Sequence, residues 1–206
     1  MPKSTAARDP HANTVALDSH ALVTLRYIRS SMDAAGLLAV PGSAGVAMGV
    51  VGFAASICVA SAALAPHWLI IWLVAAATAF ACGSAVMVHQ AVRRGVALYR
   101  GPARKFLLCL APPLTVGAVL TLALWLHGGT ALQLIPATWL LLYGCGVVAA
   151  SSTTVRPVGL MGVLFMLLGV AALATPLPIS NVLLGAGFGG LHLLFGIVLG
   201  RRRHGE

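Results

Sequence analysis

The sequence predicts an all-α membrane protein, a bundle of six transmembrane helices preceded by an amphipathic helix, with both termini in the cytoplasm. Composition is the first observation behind this prediction: 59% of the 206 residues are hydrophobic and 8% are charged, whereas about a quarter of a soluble domain is charged. The second is a set of six apolar stretches, each long enough to cross a hydrocarbon core of about 30 Å at about 1.5 Å per residue. The third is the placement of the basic residues, which predicts the orientation.

The chain divides into four parts. We expect residues 1–12 to form a disordered tail, residues 13–35 an amphipathic helix, residues 43–200 the transmembrane domain and residues 201–206 a basic tail. The amphipathic helix is predicted from apolar residues that recur at steps of four and three and so share one face: Leu17, Ala21, Leu25, Ile28 and Met32. Such a helix could lie on the inner leaflet, dock across the inner mouth of the bundle, or bind a partner.

The six predicted spans are bounded by residues that end helices. The spans cover about 43–65, 67–91, 106–127, 130–151, 157–175 and 179–200. Proline lacks a backbone N–H and glycine weakens a helix, and these residues fall in three of the connecting turns: Pro66, Gly128, Gly129, Pro176 and Pro178. The same three turns contain no lysine, arginine, aspartate or glutamate.

The basic residues are confined to alternate connections. All 13 lysines and arginines lie in the two termini, in the loop at 92–105 or at Arg156. Basic loops stay in the cytoplasm, so six alternating spans place every one of them on the inner side. The net charge of +9 is therefore explained by topology, and the expected partner is the lipid bilayer and not a nucleic acid.

The predicted spans contain no aspartate, glutamate, lysine or arginine. Their absence disfavours a proton relay or an ion-coupled transport path, because such functions use ionisable groups within the membrane. The four acidic residues all lie in the terminal segments, and the four cysteines form no C-x-x-C pair. We therefore predict no catalytic residue, no metal site and no cofactor. An enzyme acting on lipid or quinone is disfavoured but stays open.

One histidine, His192, is predicted to lie deep within the bundle. It shares one face of the sixth span with four glycines at steps of 4, 3, 4 and 4, and such spacing lets helices approach closely in lipid: Gly185, Gly189, Gly196 and Gly200. At about 1.5 Å per residue, His192 lies roughly 4 Å to the inner side of the midpoint of its span. It is expected to face the bundle and not the lipid.

Side chains on other spans are predicted at a similar depth. Tyr143 on the fourth span is the preferred partner of His192, because a buried phenol also needs a hydrogen bond. Thr115 on the third span is at that depth, and Trp139 is one turn from Tyr143. Two hypotheses follow. These four residues form a ligand-binding site, or His192 is a hydrogen-bonded packing residue that sets the helix register.

Four sets of motifs follow one another between residues 25 and 203. They are Tyr27-Ile28-Arg29-x-x-Met32 with Val40-Pro41-Gly42, Trp139-Leu140-Leu141-Leu142-Tyr143-Gly144, Pro157 with Met161-Gly162, and Gly189-x-x-His192-x-x-Phe195-Gly196. In this order the motifs resemble a family of uncharacterised bacterial six-span integral membrane proteins with no known activity. The resemblance implies a multi-pass protein of the bacterial inner membrane, and it implies no function.

Besides the disfavoured enzyme, two functions stay open as predictions. The favoured one is a non-enzymatic subunit or regulatory partner in a membrane complex, which would contact another protein through residues 13–35 and 92–105. The alternative is a binder or transporter of a small lipophilic compound, acting through a site near His192 and Tyr143.

Overall fold

The computed structural model describes residues 24–25, 41–93, 102–152 and 156–202, and every element of the described chain is helical. The α-helices are α1 (Gly42–Ala60), α2 (Trp68–Arg93), α3 (Pro102–His127), α4 (Ile135–Ser151), α5 (Arg156–Leu173), α6 (Leu177–Leu184) and α7 (His192–Arg202). Short 3-10 turns at Ala65–His67 and Gly129–Leu134 precede α2 and α4, and a π-helical segment, Gly185–Leu191, joins α6 to α7. The predicted tail at 1–12, nearly all of the predicted helix at 13–35 and the centre of the basic loop at 92–105 lie outside the described residues.

Six helical stretches are long and apolar enough to cross a membrane, which confirms the all-helical, six-span prediction. They are Gly42–Ala60, Ala65–Arg93, Arg104–His127, Gly129–Ser151, Arg156–Leu173 and Leu177–Arg201. The first helix ends at Ala60 and not near residue 65, because Ser61 takes an extended conformation before the 3-10 turn that contains Pro66. The sixth stretch comprises α6, the π segment and α7, which we call the sixth span.

Glycine contacts hold α1 against the sixth span. A Cβ atom added to Gly49 would lie 2.6 Å from the backbone nitrogen of Leu193, and one added to Gly196 would lie 2.6 Å from that of Val46. Real Cβ atoms do not approach other atoms within 3.0 Å, so only glycine permits this separation of the two backbones. The predicted small-residue face of the sixth span is thus the face that packs on α1.

A second close contact joins α4 to α5. An added Cβ at Gly144 would lie 2.7 Å from the carbonyl oxygen of Gly162, and one at Gly162 would lie 2.8 Å from the carbonyl oxygen of Gly144. Without side chains at these two positions, the helices pack backbone to backbone, as small residues allow in lipid.

The spans therefore form two groups. The first contains α1, α2 and the sixth span, and the second contains α3, α4 and α5. Within the first, α2 is fastened near its N-terminal end by a Trp72–Asn181 hydrogen bond of 3.0 Å and near its C-terminal end by a Gln90–Ser43 hydrogen bond of 2.7 Å. Helix α2 packs mainly on α1 and α3 packs mainly on α4, while α2 and α3 make little contact with each other.

Candidate ligand site between the second and third spans

A cavity of about 760 Å³ separates α2 from α3. Side chains of both helices line it, and α1, α4 and the sixth span form its deep wall. Its walls are almost entirely apolar. Polar side-chain atoms occur in six of its lining residues: Thr121, Tyr143, His192 and the three indoles of Trp72, Trp125 and Trp139.

The cavity is open along the side of the bundle. The side chains of Ile70 and Phe80 on α2 are 61% and 60% exposed, and that of Leu122 on α3 is 57% exposed, although all three line the cavity. In a bilayer these side chains would face lipid chains. A molecule dissolved in the membrane would therefore meet the opening directly, without first passing through water.

The deep wall contains the predicted pair of polar rings. The Tyr143 hydroxyl lies 2.7 Å from Nε2 of His192, within hydrogen-bonding distance. Since α4 belongs to one group of spans and His192 to the other, this hydrogen bond joins the two groups. His192 is 4% exposed and lines the cavity, so the prediction that it faces the bundle and contacts Tyr143 is confirmed.

Two phenylalanines complete an aromatic cluster around this pair. Phe165 of α5 is fully buried, and its ring centroid lies 4.8 Å from that of Tyr143 and 5.4 Å from that of His192. Phe188 lies in the π segment, and its ring is stacked on His192 with an interplanar angle of 15° and a centroid separation of 6.1 Å. Aromatic rings at such separations attract each other beyond the burial of their area, so the cluster holds both polar rings in place.

The second imidazole nitrogen, Nδ1, is enclosed by protein and makes no hydrogen bond with the described residues. His192 directly follows the π segment Gly185–Leu191, where the backbone hydrogen bonds shift from the i→i+4 to the i→i+5 pattern. Such segments are frequent at functional sites.

A third polar contact lies on the wall formed by α3 and α4. The indole N–H of Trp139 donates to the hydroxyl of Thr121 over 2.7 Å, and that hydroxyl donates to the carbonyl of Gly117, also over 2.7 Å. Trp139, a predicted site residue, therefore lines the cavity. Its partner is Thr121 on the neighbouring helix.

The remaining predicted residue, Thr115, is not brought to this cavity. Its side chain is exposed and its hydroxyl donates to the carbonyl of Ala111, one turn earlier on the same helix, over 3.0 Å. Prediction from the sequence missed Thr121, Phe165 and Phe188. Phe188 precedes His192 by four residues, and that spacing alone indicates a shared helical face.

Among the described residues, no group of three or more histidine, cysteine, aspartate or glutamate side chains is placed to hold a metal ion. The four cysteines are free thiols.

Fold and site together define a six-span helical protein with a side-opening apolar cavity and a few fixed polar groups on its deep wall. Comparison with protein-family models, with characterised proteins and with solved structures finds no match.

Proposed function

We propose that this protein binds a small lipophilic molecule in the cavity between α2 and α3, with the polar end of that molecule at Tyr143 and His192. The main support for the proposal is the size, position and lining of the cavity. Ligand sites are typically mostly apolar pockets of about 300–1,000 Å³ with a few placed polar groups, and in helical bundles they lie between helices. The cavity of about 760 Å³ has that size, position and lining.

The proposal extends to localisation. A multi-pass protein of the bacterial inner membrane, with both termini in the cytoplasm, agrees with the six apolar stretches and with the predicted placement of the basic residues. A side-opening cavity suits that setting, because the membrane is both the solvent and the source of the ligand.

A role as a subunit or regulatory partner of a membrane complex remains a second prediction. It depends on residues 13–35 and 92–105, most of which lie outside the described residues. A stable protein partner in stoichiometric amount after gentle detergent extraction would support this role.

The binding proposal is tested with two variants of α2 that add the same side chain. Ala79 lines the cavity, whereas Ala77 lies two residues away, is exposed and does not line it. Ala79→Phe places a ring inside the cavity, and Ala77→Phe places the same ring on the outer surface of the helix. The lipophilic compounds that remain with each purified protein are extracted and identified by mass spectrometry.

The expected result is a defined compound in near-stoichiometric amount with the wild type and with Ala77→Phe, and its loss from Ala79→Phe. Equal retention by both variants would place the compound elsewhere on the protein. No retained compound in any of the three preparations would also count against the proposal.

A further inference from the structure

The cavity between α2 and α3 is displaced towards one end of the bundle. Helix α1 begins at the end where α2 and α7 stop, and Arg93 and Arg201 lie there. We call this the basic end and the opposite one the open end. The position of the cavity between these two ends determines which half of the membrane can supply its ligand.

Towards the basic end, the lining of the cavity stops well inside the bundle. On α2 the last lining residue is Phe80, which precedes Arg93 by about 20 Å along the helix axis at about 1.5 Å per residue. On α3 the first lining residue is Leu110, about 12 Å after the helix begins at Pro102. The cavity therefore does not reach the basic end of either helix.

Towards the open end, the lining extends into the last turn of both helices. Leu69 is the second residue of α2, and Trp125 lies two residues before α3 ends at His127. The side chains of Ile70 and Leu122, which also line the cavity at this end, are exposed. The opening along the side of the bundle thus lies in the half of the membrane at the open end.

Packed side chains close the cavity on the basic side of Tyr143. Both Tyr143 and Leu110 line the cavity and also pack against a small buried apolar cluster. An added Cβ atom at Gly146 would lie 2.9 Å from Cδ1 of Leu110, so α3 is packed tightly on α4 at this level. Helices α4, α5 and α7 each contribute one buried residue to the cluster, which Phe106 of α3 also contacts: Val147, Val158 and Leu199. Four spans therefore meet beneath the cavity and form its floor.

Helix α2 is packed on α1 along the part of its length that follows the cavity. Gly83 comes three residues after Phe80, and an added Cβ atom there would lie 2.9 Å from Sδ of Met48, which lines the cavity. Nearer the basic end, Gln90 donates to the hydroxyl of Ser43 over 2.7 Å. The lining therefore ends on the α1 side at the level where α2 packs on Met48.

The charge of the lining determines which end of a ligand can lie at the deep wall. The described residues that line the cavity include no aspartate, glutamate, lysine or arginine. A charged group brought to Tyr143 and His192 would have no permanently charged partner, and a buried unpaired charge is strongly unfavourable. A ligand therefore enters with an uncharged end first, and any charged end stays at the membrane surface.

Building on the proposed function, we propose that the site takes its ligand only from the half of the membrane at the open end and returns it to the same half. In the predicted orientation that half is the outer leaflet. The ligand is a lipophile whose uncharged end lies at the deep wall and whose other end lies near the rim at Trp125. Since the floor separates the cavity from the basic end, the cavity serves as a one-sided binding site and not as a path across the membrane.

The test uses a probe that stays in the leaflet to which it is added. The probe is an alkyl sulfonate with a benzophenone at the end of its chain, long enough to cover the rise of about 16 Å from Leu69 to Phe80. The sulfonate keeps the probe from crossing the bilayer, because a charged group is strongly disfavoured there. The benzophenone is the uncharged and photoreactive end, which would reach the deep wall.

A cleavable tag reports the orientation of each molecule. The purified full-length protein carries the tag after Glu206, beyond the basic end at which α7 stops, and is reconstituted in both orientations into phosphatidylcholine vesicles. The probe is added to sealed vesicles, which are illuminated and then treated from outside with the protease that removes the tag. Only molecules whose basic end faces outwards lose it. Molecules with and without the tag are separated, and mass spectrometry measures cross-linking to peptides that contain Tyr143 or His192.

Cross-linking to these peptides is expected in molecules that keep the tag, because their open end faces the leaflet that contains the probe. In molecules that lose the tag, cross-linking should fall to the level of Ala79→Phe, whose added ring occupies the cavity. Ala77→Phe adds the same ring outside the cavity and should behave as the wild type does. When the probe is present in both leaflets from the start of reconstitution, molecules of both orientations should be cross-linked.

The outcomes separate the two proposals. Equal cross-linking of both orientations by probe added from outside, or cross-linking confined to molecules without the tag, overturns one-sided access and leaves the ligand site standing. No cross-linking to the cavity even with the probe in both leaflets, or cross-linking that Ala79→Phe leaves unchanged, counts against the site itself. If Ala79→Phe does not fold, the comparison of the two orientations of the wild type still decides the inference.

Discussion

Substitution of Gly52 by alanine tests how rigidly α1 positions the π segment. A Cβ atom at Gly52 would lie 2.6 Å from the carbonyl carbon and oxygen of Phe188, which is about 0.8 Å less than the 3.4 Å at which ordinary van der Waals contact begins. The opposing atoms are backbone, so no side chain can rotate away. The two helices must separate, and Phe188 must move with its stacked neighbour His192.

The expected loss of stability follows from comparing two glycine-to-alanine substitutions in the same chain. Alanine favours a helix over glycine by up to about 1 kcal/mol, and overpacking costs about 1–3 kcal/mol. At Gly190 an added Cβ meets nothing within 4 Å, so Gly190→Ala retains the gain without the cost. The free energy of unfolding of Gly52→Ala should therefore be lower than that of Gly190→Ala by about 1–3 kcal/mol.

The assay is reversible unfolding in mixed micelles with increasing dodecyl sulfate, followed by tryptophan fluorescence. Gly45→Ala supplies an intermediate point, because its Cβ would lie 3.1 Å from the Cα of Gly196. The expected order of stability is Gly190→Ala, then Gly45→Ala, then Gly52→Ala. A difference between the first and the last of less than about 0.5 kcal/mol, the size of an ordinary surface effect, would refute the rigid contact.

Three further predictions concern the cavity wall and the orientation of the chain. Thr121→Val leaves the indole N–H of Trp139 without its acceptor and should lower the free energy of unfolding by about 1 kcal/mol in the same micelle assay; an unchanged value would show that the hydrogen bond contributes nothing. A double-mutant cycle of Tyr143→Phe and His192→Phe should give a coupling of about 0.6 kcal/mol, the average for side-chain hydrogen bonds between membrane helices, whereas strictly additive effects would argue against a direct bond. A reporter that matures only outside the cytoplasm should stay inactive when fused after Glu206, and an active fusion would overturn the predicted orientation.

The sequence predicts the six spans well because span length and hydropathy are local properties. A stretch of about twenty apolar residues satisfies its backbone hydrogen bonds as a helix wherever it lies in the membrane. The 3-10 turn at Gly129–Leu134 and the π segment at Gly185–Leu191 were not predicted, because hydropathy and length do not distinguish these helix types from an α-helix. The π segment contains four glycines, which permit unusual backbone geometry without specifying it.

The sequence predicts how deep the site residues lie along their helices, but not the direction in which their side chains point around the helix axis. Counting residues at about 1.5 Å each placed Tyr143 opposite His192, and the structure brings them into contact. The same count selected Thr115 on α3, whereas Thr121 is the residue that faces α4. Thr121 lies about 9 Å from Thr115 along the helix axis and roughly 120° around it. A count of depth selected the level of Thr115 but carried no information on which side of α3 faces α4.

The arrangement of the spans explains why the cavity lies where it does. Glycine contacts hold α1 to the sixth span and α4 to α5 with their backbones almost touching, so neither pair can open to admit a ligand without losing that packing. Helices α2 and α3 each pack mainly on one partner, α1 and α4 respectively, and make little contact with each other. Space for a ligand therefore remains between these two helices, and its deep wall is the place where the two groups of spans meet, at Tyr143 and His192. A ligand bound there would contact both groups at the hydrogen bond that joins them, so its affinity should depend on the separation of the groups as well as on its own polar end.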